Sequence, residues 1–442
     1  MKAARIKSLA VYTLCLLAPT VTVIAQTENV VYRFTGGDDG GVPYSTLIMD
    51  SRGDLYGTTQ QYGGGPCTFP FTGCGTVFEL EPSPEGWTYH VLYAFQGGED
   101  GQAPSSVLTF DPKGNLYGTT LYGGIPQRGG YGTVFELEHT SSGWKEVVLY
   151  AFSGGGDGAL PTAGLVLDDS GNVYGTTTSG GNIDCSLGPG CGVVFRLTHS
   201  TGGWSETVLH AFGGSDGAGP HEAVTLIPKG ASPLLGPVGT IYGTTMYGGN
   251  GSPYDFSGGV VFRLVPVGET WVYRTVYEFP SDLGNPGGPL IFDEHGNIYG
   301  MDGNGGEYGE GAVFELFPVA SGTLGAWRER DIYQFSGIDG SFALNQGVVM
   351  DGSGNLYGTT LSGGTGTGCL AGCGTVFRLS KSGDDWYESG LYSFPGGVDG
   401  WELFSGIVLD NRSYVYGMTV IGGDLSCAGY EAGCGLVYEI IP

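Results

Sequence analysis

The chain has 442 residues, with 44 Asp or Glu against 17 Lys or Arg and a net charge of −27. A field of that sign repels phosphate backbones and anionic membrane surfaces, which excludes nucleic acid as an expected partner. Glycine supplies 87 residues, yet an aromatic content of 12% argues against disorder, because disordered segments have no core in which to place aromatic rings.

Residues 1–25 read as a secretory signal peptide. Lys2, Arg5 and Lys7 precede an apolar run that closes on Val23-Ile24-Ala25, where a signal peptidase reads small residues. Pro19 and several threonines weaken that run as a membrane anchor, and no later run is long enough to span a bilayer. The expectation is an exported monomer, extracellular, at the cell surface or periplasmic, in which residues 26–442 form one domain.

From there to the C-terminus one phrase recurs. It is seen as Tyr56-Gly57, Tyr117-Gly118, Tyr174-Gly175, Tyr242-Gly243, Tyr299-Gly300, Tyr357-Gly358 and Tyr416-Gly417, at spacings of 57 to 68 residues. A period of this length points to a propeller or solenoid. In the second unit four strands can be read: Ser106 to Asp111, Asn115 to Thr120, Gly132 to Leu137 and Trp144 to Phe152. Each is rich in β-branched or aromatic residues and is bounded by turn residues. The "DPKGN" between the first two is a tight hairpin turn. The strands are apolar at nearly every position, as sheets buried on both faces require. The glycine after each tyrosine is expected to let the adjacent blade approach closely.

The chain ends after three strands of the seventh unit, and "NVVYRF" (Asn29 to Phe34) matches a fourth strand that has no blade before it. The sequence therefore predicts an all-β fold, a seven-bladed propeller of four-stranded blades closed by the N-terminal strand. Trp87, Trp144, Trp204, Trp271, Trp327 and Trp386 open the fourth strand of units one to six.

The loop after the second strand carries eight of the nine cysteines. They fall in couples, Cys67 and Cys74, Cys185 and Cys191, Cys369 and Cys373, Cys427 and Cys434, which an exported chain is expected to join locally as disulfides. The loop leaving the fourth strand, on the same face, repeats an acidic phrase that places Asp39, Asp100, Asp157, Asp216, Asp339 and Asp399 at one station, each followed by glycine. Asp-Gly turn chemistry explains this pattern, and calcium is the cofactor that such carboxylates, with loop carbonyls, would bind.

Unit five departs from the rest with "YGMDGNGGEYGEG", where Asp302, Glu307 and Glu310 are candidate acid and base residues for glycoside cleavage. Tyr62, Tyr122 and Tyr247 are candidate stacking platforms for a sugar. The six histidines are scattered over different stations and read as surface or turn residues, and no nucleophile elbow, phosphate loop or zinc-protease helix is present.

The combination of "GNLYGTT", a glycine-rich loop and "GTVFEL" resembles the GloVer tandem repeat of exported bacterial proteins, over nearly all of the mature chain. The "DxxGNLY" portion is similar to NHL-type propeller repeats and supports the blade register. The resemblance implies surface or extracellular display and supplies no catalytic residues. Three functions stay open: a binding module for an extracellular polysaccharide, other polymer or protein; a carbohydrate-active hydrolase or lyase using loop carboxylates; and a structural surface component.

Overall fold

The computed structural model describes residues 27–442 except 69–70, 125–129, 183–184, 186–188, 250–257, 281–283, 320–325, 344–346 and 428–431. The segment expected to be a signal peptide lies outside the described residues.

The recurrent phrase forms a five-residue strand, as in Leu55–Thr59, Val173–Thr177, Ile241–Thr245 and Leu356–Thr360, with all five positions buried. On one side this strand pairs with a very short first strand, Ile48–Met49 in blade one. On the other it pairs with a third strand, Thr76–Ser83, which turns back into a fourth, Gly86–Ala94. This antiparallel meander repeats seven times, so the fold is the seven-bladed propeller that the repeat predicts. Only in blade two is the first strand split, into Gln102–Pro104 and Thr109–Phe110.

The seventh sheet joins the two ends of the chain. Thr27–Arg33 pairs with Leu436–Ile441, from Thr27 opposite Ile441 to Arg33 opposite Leu436, and supplies the missing fourth strand. Around the ring, an aromatic residue at the end of each fourth strand meets one on the third strand of the next blade. The pairs are Phe34 with Phe78, Phe95 with Phe135, Phe152 with Phe195, Phe212 with Phe262, Phe279 with Phe314, Phe335 with Phe377 and Phe394 with Tyr438, at ring-centroid separations of 5.0 to 5.4 Å. These tilted and edge-on contacts suit the ring quadrupoles, and each stabilises its blade interface by about 0.5–1.5 kcal/mol beyond area burial.

Two local expectations are corrected. The glycine after each tyrosine makes room within its own blade: a Cβ on Gly57 would lie 2.7 Å from Cζ of Phe78, its cross-strand neighbour, and Gly118 stands in the same relation to Phe135. The fourth strand is not buried on both faces. Gly86–Ala94 alternates between exposed and half-buried positions because it lies at the blade's outer edge, where one face meets solvent.

The repeated turn between first and second strands is an Asx-type turn. In blade two the Asp111 carboxylate accepts the amides of Lys113 (2.8 Å) and Asn115 (2.9 Å), while Gly114 takes φ +87°.

Candidate functional site

The fourth strand ends in a bulge in all seven blades. In blade two, Val148 faces Phe135 and Tyr150 faces Val134, leaving Leu149 as the extra residue. The bulge directs the next side chain at the acidic turn. Tyr32 donates to Asp39 (3.0 Å), Tyr93 to Asp100 (3.0 Å), Tyr150 to Asp157 (3.1 Å) and Tyr333 to Asp339. In blade three, His210 takes the tyrosine's place 2.9 Å from Asp216 and stacks on Tyr273. The backbone amides of Thr35, Gln96, Ser153, Gly213 and Ser336 donate to the same carboxylates at 2.8 Å. Asp399 differs, with Arg33 at 3.9 Å. Turn chemistry thus accounts for five of the six repeated aspartates. Among the described residues no three His, Cys, Asp or Glu side chains gather as a metal site needs.

All four cysteine couples are local disulfides, with Cα separations of 5.2 to 5.8 Å. They pack on the acidic turns: a Cβ on Gly97 would lie 2.6 Å from Cys67 Sγ, one on Gly396 2.8 Å from Cys373 Sγ, and one on Gly36 would collide with Cys427 Sγ. In blade two, which has no cysteine, the Tyr131 ring occupies this place against Gly154. The two loops therefore share one face, as the strand order requires.

Blade five's departures compensate one another. Asp302 stands where the other blades carry a buried threonine, as in Thr59 and Thr360, and its carboxylate accepts the amides of Asn285 (2.8 Å) and Asn304 (3.3 Å). Burial raises its pKa to about 7, against the lowering effect of those amides. Glu310 instead bonds the Ser341 hydroxyl, and Glu307 is exposed, its amide donating to Gln334. No hydrogen bond links any two of the three carboxylates among the described residues, and their side chains engage different neighbours.

The three candidate tyrosines separate. Tyr62 is 6% exposed and packs among Phe34, Cys427 and Cys434. Tyr247 is half-buried against the cluster that contains Cys185 and Cys191. Tyr122 lies 6.2 Å from the Phe71 ring, and both line a large space at the centre of the ring.

That space is a central cavity of about 920 Å³, walled by all seven blades. Strand alternation turns one set of side chains toward it: Tyr44 and Thr46, Ser105, Val107 and Thr109, Thr162 and Val166, His221, Ala223 and Thr225, Ile291, Val349 and Phe404. Gln60, Gln61, Thr178 and Ile421 also line it. They follow the second strands and bridge to the segments just beyond the acidic turns, as Gln61 does to Gly41 and Ile421 to Trp401, so this end lies on the disulfide face.

Most wall positions are apolar or hydroxylic; the exceptions are Gln60 and Gln61 in blade one, His221 and Glu222 in blade four and Glu402 in blade seven. The station occupied by Ser45, Ser106 and Ser405 in other blades, where each hydroxyl accepts a second-strand amide at 2.8 to 3.1 Å, carries Glu222. Its carboxyl makes no hydrogen bond among the described residues, and burial raises its pKa well above the ordinary carboxylate range. Glu222 is half-buried and is among the residues that line the cavity. His221 beside it has its pKa lowered by burial, so the ring is neutral. His221 is therefore a cavity residue, where scatter along the chain suggested a surface or turn residue, and His210 bonds the acidic turn as a turn residue would. The available signal was positional: "PHEAV" replaces "PYSTL", "PSSVL" and "PTAGL" at one station.

The Gloeobacter/Verrucomicrobia repeat matches residues 19–188 and 227–430. The chain belongs to that family. No curated protein matches it. Among solved structures, it is similar to a crystal structure described as the extracellular domain of a one-component system from B. thetaiotaomicron, at 10% identity and a TM-score of 0.51, covering 93% of this chain and 40% of that one. It is also similar to a PQQ-bound aldose sugar dehydrogenase from Streptomyces coelicolor, at 12% identity and a TM-score of 0.42, covering 75% and 92% of the two chains. At 10% identity the first of these likenesses speaks for the fold alone. The multiple disulfides fit a protein that works outside the cytoplasm, and no helix among the described residues is long and apolar enough to cross a membrane.

Proposed function

We propose that this repeat protein is an exported binding module that takes a small organic molecule, or the end of a longer one, into its central cavity from the disulfide face. The observation that carries the reading is the cavity of about 920 Å³, walled mainly by apolar side chains with a few polar groups. Ligand sites of about 300–1,000 Å³ are commonly built this way. The fixed blade interfaces favour a preformed site, which lowers the ordering cost of binding. The disulfide loops and acidic turns form the approach to it, and Tyr122 with Phe71 offers an aromatic contact at the wall.

The test is a fragment screen by saturation-transfer NMR on the mature protein and on two cavity-filling variants, Ala223→Trp and Ser105→Phe. Fragments with an apolar ring should bind the wild type and lose their signal in whichever variant retains the native β spectrum. Hits that persist unchanged in a folded, filled variant would place binding elsewhere and overturn the reading.

A further inference from the structure

We propose that the ligand class of the central cavity is an amphipathic organic ammonium ion, with its N–H groups donated to the Glu222 carboxyl and its carbon body laid on the apolar wall. This rests on the cavity being the binding site, as argued above.

The argument begins with Glu222 itself. Glu222 is half-buried, and a carboxyl partly withdrawn from water without a donor forgoes hydrogen bonds that a ligand's donor restores. The alternatives used by the other blades were open here: Ser45, Ser106 and Ser405 satisfy the same station with a short hydroxyl, and Ala163 does without one. Blade four instead carries a longer ionisable group whose side chain makes no hydrogen bond among the described residues. A donor from outside would complete it, and a charged donor would bond about twice as strongly as a neutral one.

The sign of that donor follows from the surroundings. Among the described residues no lysine or arginine lines the cavity, whereas Glu402 is a second carboxyl in its wall. His221 is held neutral by burial and can accept a further N–H from its unprotonated nitrogen. The turns on the disulfide face hold Asp39, Asp100, Asp157, Asp216 and Asp339, on a chain of net charge −27. Such a mouth concentrates cations and repels anions. The walls fix the rest of the ligand: Val107, Val166, Ile291, Val349 and Phe404 present apolar surface from five blades. An inorganic cation would leave that surface unused, and a neutral hydrocarbon would leave Glu222 unpaired.

The experiment is isothermal titration calorimetry of the mature protein at pH 7.5 with three probes of matched shape: phenethylammonium, 2-phenylethanol and phenylacetate. The ammonium should bind saturably and about tenfold or more tighter than the alcohol, with phenylacetate weakest. Glu222→Gln should bring the ammonium down to the alcohol's affinity without altering the circular dichroism spectrum. Equal affinity for ammonium and alcohol, or undiminished ammonium binding by Glu222→Gln, would overturn the ligand class and leave the cavity reading intact. The ligand class is overturned in the same way if the ammonium gives no heat while neutral fragments bind in an Ala223-sensitive manner. Ammonium binding that survives in folded Ala223→Trp or Ser105→Phe would overturn the cavity reading itself.

Discussion

Tyr438 shows how much one atom matters inside a blade interface. Six blades place phenylalanine at this third-strand position, packed on the glycine of the second strand, and blade seven places a fully buried tyrosine whose hydroxyl sits over Gly417. That hydroxyl has no hydrogen-bond partner among the described residues. A buried, unbonded hydroxyl costs about 1–3 kcal/mol, while the ring's contact with Phe394 does not need it. Tyr438→Phe should therefore stabilise the protein by about 1 kcal/mol, read as a rise in the urea midpoint at constant slope. A lower midpoint would mean that the hydroxyl is satisfied after all. The sequence made the repeat's tyrosines and glycines legible as core, and Tyr56, Tyr242 and Tyr299 are indeed buried. It did not reveal what each glycine touches, because "YG" is local while the Phe78 ring comes from a strand some twenty residues later.

At the scale of the element, the fourth strand sets the pH response. Glu146, Glu206 and Glu388 sit on the fourth strands of blades two, three and six, where burial, and next the charges of Asp100, Asp157 and Asp339 respectively, push each pKa up to about 7. These groups hold a proton in the folded state that the unfolded chain releases near its ordinary value of 4.5. Their contribution is thus fully present below the unfolded pKa and is lost as pH rises through about 7. Asp216 and Asp339 act oppositely. Burial alone would raise both, but the donors His210 and Gly213, and Tyr333 and Ser336, hold them below the usual range, so their contribution is lost in stronger acid. The melting temperature should be highest between about pH 4 and pH 4.5, the window between these two losses, and fall toward pH 8. Changing all three glutamates to glutamine should flatten that fall, and a melting temperature that rises from pH 5 to 8 would contradict the account. This strand was legible from its tryptophans and its aromatic ending, but its bulge was not: an extra residue such as Leu149 looks in sequence like any other apolar residue of the run.

For the whole molecule, the ring could be read from its ends. The unpaired "NVVYRF" and the truncated last unit could only satisfy their edges by pairing with each other, and Thr27–Arg33 does lie along Leu436–Ile441. The cysteine couples were legible for the same reason, since both members of each lie in one loop. The cavity was not. Its wall is built from first strands reduced in most blades to two paired residues, such as Ile48–Met49 and Val166–Leu167, too short for alternation to announce which side chains face inward. Glu222 becomes conspicuous only when its station is set beside Ser45, Ser106, Ala163 and Ser405, all of them small. Unit five, whose carboxylates drew attention in sequence, turned out to exchange a threonine for an aspartate that bonds its own blade's Asn285. The most direct test of the central claim is a crystal structure of residues 26–442 grown with saturating phenethylammonium. The account predicts density for the probe in the central cavity, its nitrogen within hydrogen-bonding distance of Glu222 and its ring on the apolar wall. A probe bound only on the disulfide loops or acidic turns, with the cavity free of it, would contradict the account.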